Sequence, residues 1–179
     1  MGSEMCIRDS DRTTRVAAEL ADGWFPVLMA RDQLADRARA LRKDREAAGL
    51  RSEPLTVAAG PLTVAANDPA LARRISASCL AWYLCAMGDV YARSLTRQGY
   101  GDAVQVILEA NPHPRPDTGV VPAAAQVVLD QFAINGTPRQ VRDQLAGWDD
   151  AVDLTMVGLP PGLPWHLIET TLRAAAPGA

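Results

Sequence analysis

The sharpest hydrophobic pattern in the chain begins at Thr137 and runs to Trp148. Val141, Leu145 and Trp148 fall at i, i+4 and i+7 on an otherwise polar run, which predicts an amphipathic helix. Its start is also marked. Thr137 suits an N-cap, Pro138 suits the first helical position, and Gln140 sits three residues past the cap, so Thr-x-x-Gln reads as a capping box. The apolar run 153–159 follows at once and predicts a strand.

Similar periods divide the rest of the chain. Val16 and Leu20 share a face of a helix over 13–21, and Trp24 to Leu28 reads as a short buried strand. Residues 31–48 form a long helix with a narrow stripe of Leu34, Ala38 and Leu41, and Gly49 suits the position after its end. Leu55 to Ala59 is a strand apolar on both faces, as buried parallel strands are. The heptad 54–60 nearly repeats as 61–67. Two copies are too few for a solenoid, so the pair reads as one long strand interrupted at Pro61. Asp68-Pro69 opens a helix to about Met87, with a stripe of Leu71, Ile75, Cys79, Trp82 and Ala86. A second helical piece spans 89–98 with Val90, Tyr91 and Leu95. Gly99 to Asp102 turns the chain into a third over 103–110. The proline-rich run 111–117 predicts a loop that is extended or mobile. Residues 122–133 return to helix with Val128, Leu129 and Phe132 inward. Pro160-Pro161-Gly162 breaks the last strand, and 165–175 closes as a helix with Leu167, Ile168 and Leu172 on one face.

Strands alternating with helices predict an α/β architecture with a parallel sheet and a helical insertion. Three predicted strands fall short of a complete domain of this kind. A (β/α)8 barrel takes roughly 250 residues, against 179 here, so the chain reads as part of a larger architecture. The first eleven residues have no helical or strand period. Met5-Cys6-Ile7-Arg8-Asp9-Ser10 reads as translated sequencing adaptor, so 1–11 is taken as non-native or disordered and the domain as 12–179.

Composition narrows the function classes. With 48% hydrophobic and 22% charged residues the chain is ordinary for a soluble globular protein. A net charge of −3, with its cations spread among acids, argues against a nucleic-acid or anionic-membrane partner. The densest basic run, Arg37 to Arg45, is interrupted by Asp44 and reads as a solvated helix face. No apolar run is long enough to span a bilayer, and cytoplasm is the expected location. Three cysteines without CxxC spacing predict neither a disulfide framework nor a metal site; Cys79 and Cys85 read as core thiols. His113 and His166 have no carboxylate or cysteine at readable spacing. No nucleophile–base pair can be assembled, and the catalytic residues stay undetermined at this level.

Several segments together resemble a known family. Arg15-Val16-Ala17-Ala18-Glu19-Leu20-Ala21-Asp22-Gly23-Trp24 resembles the "A-G-E-x-A-D-G" segment of luciferase-like flavin monooxygenases, above all the branch dependent on the deazaflavin F420 and similar to methylenetetrahydromethanopterin reductase. Further matches lie at Leu80-Ala81-Trp82-Tyr83-Leu84 with Met87 and Tyr91, at Leu95 through Gly99-Tyr100-Gly101-Asp102, and at Gly136-Thr137-Pro138 with Val141 and Leu145. The resemblance implies a helix-rich C-terminal part of a (β/α)8 TIM barrel, about strands six to eight, with a helical insertion before the last strand. It implies an oxidoreductase that moves hydride between F420 and a small organic substrate. An FMN-dependent monooxygenase is the alternative within the superfamily, and a non-catalytic interaction module the alternative outside it. The family's first strands and its phosphate-gripping loop have no counterpart here, so the chain is expected to be inactive alone. A homodimer is the expected assembly, if any.

In such barrels the site lies at the C-terminal ends of the strands. The helix that starts at Gly136 and Thr137 would begin on that rim, where open amides and the helix dipole suit a cofactor phosphate and Arg139 could assist. A plain helix cap is the competing reading. Trp24 reads either as a core or barrel-lining residue or as a cofactor contact. Tyr83 and Tyr91 read as buried helical-core residues or as substrate contacts.

Overall fold

A computed structural model describes residues 11–49, 52–149 and 151–177. The adaptor-like string lies outside the described residues.

One long strand organises the molecule. The two heptads form β2 (Thr56–Ala59) and β3 (Leu62–Ala65), joined through Gly60-Pro61. β1 (Gly23–Trp24) pairs with the lower part of this strand, Trp24 against Val57. β5 (Leu154–Thr155) pairs along its other edge, and the contact continues upward through Met156 N–H to Ala59 O (2.9 Å) and Gly158 N–H to Pro61 O (3.0 Å). β4 (Ala133–Gly136) pairs with the upper part, Gly136 against Ala65. Every pairing is parallel, as the alternating strand–helix order predicts.

The near-repeat has a consequence in three dimensions. Side chains alternate across a strand, and seven is odd, so equivalent positions of the two copies point to opposite faces. Leu55, Val57 and Ala59 enter one core with Trp24, Leu34 and Val141. Their counterparts Val64 and Ala66 enter another with Ala72, Leu163 and Leu167, while Leu62 packs towards the helical insertion. The copies also diverge at their seventh residue. A Cβ on Gly60 would stand 1.7 Å from the Met156 carbonyl oxygen, so only glycine lets β5 approach there. Asn67 in the second copy is exposed.

The first core is closed by α1 (Asp11–Leu20), α2 (Arg31–Ala48) and α7 (Pro138–Asp149). α2 has the predicted bounds and the predicted stripe of Leu34, Ala38 and Leu41, and its end is sealed by Gly49 N–H to Arg45 O. α1 departs from expectation. Thr14 and Ala18 are buried, whereas Val16 and Leu20 are exposed, because the helix lies on α2 through its alanines. The strand expected over Trp24 to Leu28 is only two residues long. Phe25 is exposed, and Leu28 takes a left-handed φ of 54°.

Between β3 and β4 the chain builds the helical insertion: α3 (Pro69–Ala86), α4 (Val90–Leu95), a π-helical turn (Thr96–Tyr100), α5 (Gly101–Ala110), a 3-10 turn (Ala123–Ala125) and α6 (Gln126–Phe132). Val128, Leu129 and Phe132 point inward as their spacing predicts. β4 was not visible in the hydrophobic pattern. Phe132-Ala133-Ile134 continues the apolar helix without a break, and a four-residue strand is too short to show alternation. The insertion therefore precedes β4 rather than the final strand. α8 (Trp165–Ala175) packs on β3. There Thr171 Oγ1 accepts the Ala65 N–H at 2.9 Å, closing a strand edge that β5 has left. Among the described residues no helix is long and apolar enough to cross a membrane.

Candidate functional site

The upper rim of the sheet is made where β3, β4 and β5 hand over to α3, α7 and α8. At β3 the handover is Asn67-Asp68-Pro69. Asp68 caps α3 by accepting the Ala70 N–H at 2.9 Å, with Pro69 in the first turn. At β4 it is Gly136-Thr137. The capping box forms as the spacing predicts: Thr137 N–H donates to Gln140 Oε1 at 2.8 Å and Gln140 N–H to Thr137 Oγ1 at 3.4 Å. Gly136 has φ 147°, and a Cβ there would lie 2.6 Å from Gln140 Oε1. Val141, Leu145 and Trp148 are all buried.

The sequence-predicted site residues do not converge. Gly136, Thr137 and Arg139 stand together on the upper rim. Trp24 is buried at the lower end, opposite Val57, eight positions back along the strand from the Ala65 that pairs with Gly136. At roughly 3.3 Å per residue this is about 26 Å. Arg139 extends into solvent, 90% exposed, with Asp143 at 3.9 Å. Gln140 already occupies the Thr137 amide and Thr137 the Gln140 amide. As arranged, the Thr137 and Gln140 amides are taken up by the helix cap itself. Tyr91 is buried in the insertion, stacked edge-on with half-buried Tyr83, ring centroids 5.3 Å apart.

A cleft of about 890 Å³ opens beside this rim. One wall is α3, through Leu71, Arg74, Ile75 and Trp82; the opposite walls are the 116–121 loop, α6 and the turn 160–164 that follows β5. The volume suits a small molecule, and the lining is mainly apolar. The 116–121 wall is fastened in place. Ser78 Oγ donates to Pro116 O at 2.8 Å and accepts the Gly119 N–H at 2.9 Å. The Asn111 side chain holds the Val120 backbone through two bonds of 2.9 Å. The proline-rich run is thus a built wall at its C-terminal end.

Cys79 lines the cleft, and burial pushes its thiol up to about 11, so it stays protonated and inert near neutrality. His113 and His166 are both exposed. Among the described residues no group of three or more His, Cys, Asp or Glu side chains is placed to hold a metal ion.

Sequence reasoning missed this cleft for a physical reason. The apolar stripe Leu71, Ile75, Cys79 and Trp82 was legible, but a stripe reads as core. Most of the deeply buried residues of α3 lie on the neighbouring stripe Ala72, Ser76, Leu80 and Leu84, with Ala81 beside it. The usable signal was apolar character on two stripes, more than a single core face requires. Ala86, at the end of the predicted stripe, is exposed.

The chain matches the sequence profile of the luciferase-like monooxygenases over residues 9–154, and it belongs to that family. Members are oxidoreductases and monooxygenases built on a TIM barrel. Among solved structures it is similar to the coenzyme F420-dependent tetrahydromethanopterin reductase of Methanopyrus kandleri, with TM-score 0.66 and 16% identity over 94% of this chain and 48% of that one. It is also similar to the EDTA monooxygenase of Chelativorans sp. BNC1, with TM-score 0.58 and 20% identity over 94% of this chain and 42% of that one. At these identities the likeness concerns the fold. The chain spans less than half the length of either structure. No functionally curated protein matches it.

Proposed function

We propose that this chain is the C-terminal part, about strands six to eight, of an F420-dependent oxidoreductase, and that its cleft holds the organic substrate. The observation that carries this reading is the 890 Å³ apolar cleft, beside the C-terminal ends of parallel strands, in a chain of the luciferase-like family. The F420 preference rests on the resemblance of Arg15 to Trp24 and of Gly136-Thr137-Pro138 to the reductase branch. When bound, the deazaflavin supplies the hydride donor or acceptor. The residues here supply shape, an inert apolar wall and a dry surface, and no acid–base pair among them demands another chemistry. The monooxygenase description of the matched family favours a second reading, FMN-dependent oxygenation.

The lower part of one sheet face is uncovered, and this supports the partial-barrel reading. Phe25, which follows Trp24 and so points to the other face, is 58% exposed, and Leu154, paired with Ala58, is 56% exposed. In a closed barrel this face would be interior. The experiment is to sequence the DNA upstream of codon 12, express the whole open frame and titrate it with F420 and with FMN. A frame that adds earlier barrel strands, F420 binding and F420-dependent turnover are expected. FMN binding alone would move the assignment to the monooxygenase. A stop codon immediately upstream would overturn the partial-barrel reading.

A further inference from the structure

We infer that the cleft selects a monoanionic, largely apolar small molecule, a carboxylate or sulfonate, whose charged head is held by Arg74. This deepens the proposed function and rests on its placing the substrate in the cleft. Two arginines of α3 line the cavity, and they differ in their commitments. Arg73 is bound to the Gln126 side chain and to Asp130 at 3.3 Å, so its charge is used in tying α3 to α6. Arg74 makes no hydrogen bond or ion pair among the described residues. Ser78, one turn further along, is spent on Pro116 and Gly119. The α3 wall therefore offers one uncommitted strong donor, set beside Leu71, Ile75 and Trp82.

A guanidinium takes two oxygens of one carboxylate or sulfonate through paired hydrogen bonds, a geometry that a hydroxyl or amide cannot reproduce. The apolar walls require the rest of the ligand to be hydrocarbon or aromatic. Asp117, on the facing loop, also lines the cleft without a bonded partner among the described residues. Its carboxylate disfavours a second negative charge and limits the ligand to a monoanion.

The test uses the purified chain with 2-naphthoate and its uncharged analogue 2-naphthamide as probes. Binding is followed by calorimetry and by the indole N–H signals of the four tryptophans, with Trp82 assigned through Trp82→Phe. Naphthoate is expected to shift the Trp82 signal and to leave those of buried Trp24 and Trp148 in place. Arg74→Gln is expected to weaken naphthoate at least tenfold and naphthamide less than twofold. Arg74→Lys should recover part of the loss, and Asp117→Asn should tighten naphthoate. Arg74 is exposed, and an unchanged thermal melt would show the variant folded. Equal loss of both probes, or naphthoate binding without a Trp82 shift, would overturn the inference. Because no cofactor takes part here, the two readings fail separately: naphthoate binding by this chain, with no F420 or FMN binding by the whole open frame, would sink the oxidoreductase reading and leave this one standing.

Discussion

Arg45 is a buried cation that works by gripping backbone. Its guanidinium donates to the carbonyls of Ala18 (3.0 Å) and Ala21 (2.8 Å) at the end of α1, and to Glu53 O (2.6 Å) ahead of β2. It thus satisfies carbonyls that the end of α1 leaves open. One of its nitrogens, Nη2, is buried without a partner, which marks the site as tight rather than comfortable. Arg45→Ala is expected to lower stability by about 3 kcal/mol in a urea melt, with Arg45→Lys recovering little because an ammonium lacks the fork. Asp153 does a related job at the sheet edge. Its carboxylate accepts the Val57 N–H at 2.7 Å and an Arg42 N–H at 2.7 Å, while its own N–H donates to Val57 O. The bond from Val57 holds its pKa below the ordinary 3.8; burial opposes that shift, and the hydrogen bond and charge of Arg42 add to the lowering. A depressed carboxylate contributes stability above its unfolded pKa and loses it as pH falls through the folded value. The thermal midpoint should therefore drop below about pH 4, and Asp153→Asn should flatten that part of the profile.

The α7 start was the most legible element, because its cap, proline and stripe are all local signals. What the sequence could not convey is that Gln140 is shared between two tasks, bonding Thr137 and filling the space that Gly136 leaves. Thr137→Ala is expected to cost about 1 kcal/mol. Gly136→Ala is expected to cost about 2 kcal/mol from its backbone angle and the side-chain clash. That cost should shrink in a Gln140→Ala background, where the clash is gone and the backbone strain remains. A double-mutant cycle in guanidinium checks both. Gly60→Ala should be worse than either, because the obstructing atom is the Met156 main chain and cannot swing aside.

At the scale of the molecule, parallel α/β order was readable from alternating periods, and α2 from its stripe and final glycine. β4, the brevity of β1 and the exposure of Val16 and Leu20 were not, because each depends on what lies alongside in space. The candidate site divides the same way. Gly136 and Thr137 are on the rim as read, but Trp24 reaches the opposite end of the strand through a register no local pattern records. The cleft needs three segments distant in sequence. The uncovered row of Phe25, Leu154 and Met156 has a solution consequence: the chain should associate as its concentration rises. Replacing Phe25 and Met156 by serine should shift sedimentation towards the monomer, whereas the same change at Val127, exposed on α6, should not.

The doubled heptad carries a safeguard. A tandem duplication within a strand invites slippage, since sliding one copy into the place of the other offers neighbouring strands an almost identical text. Six of the seven positions are identical, so sliding the second copy into the place of the first sets leucine on leucine and valine on valine at no cost. The seventh position is the exception, because the slide brings Asn67 to the place where only Gly60 lets Met156 pass. That one difference makes the misaligned state costly and holds the duplicated strand in a single register.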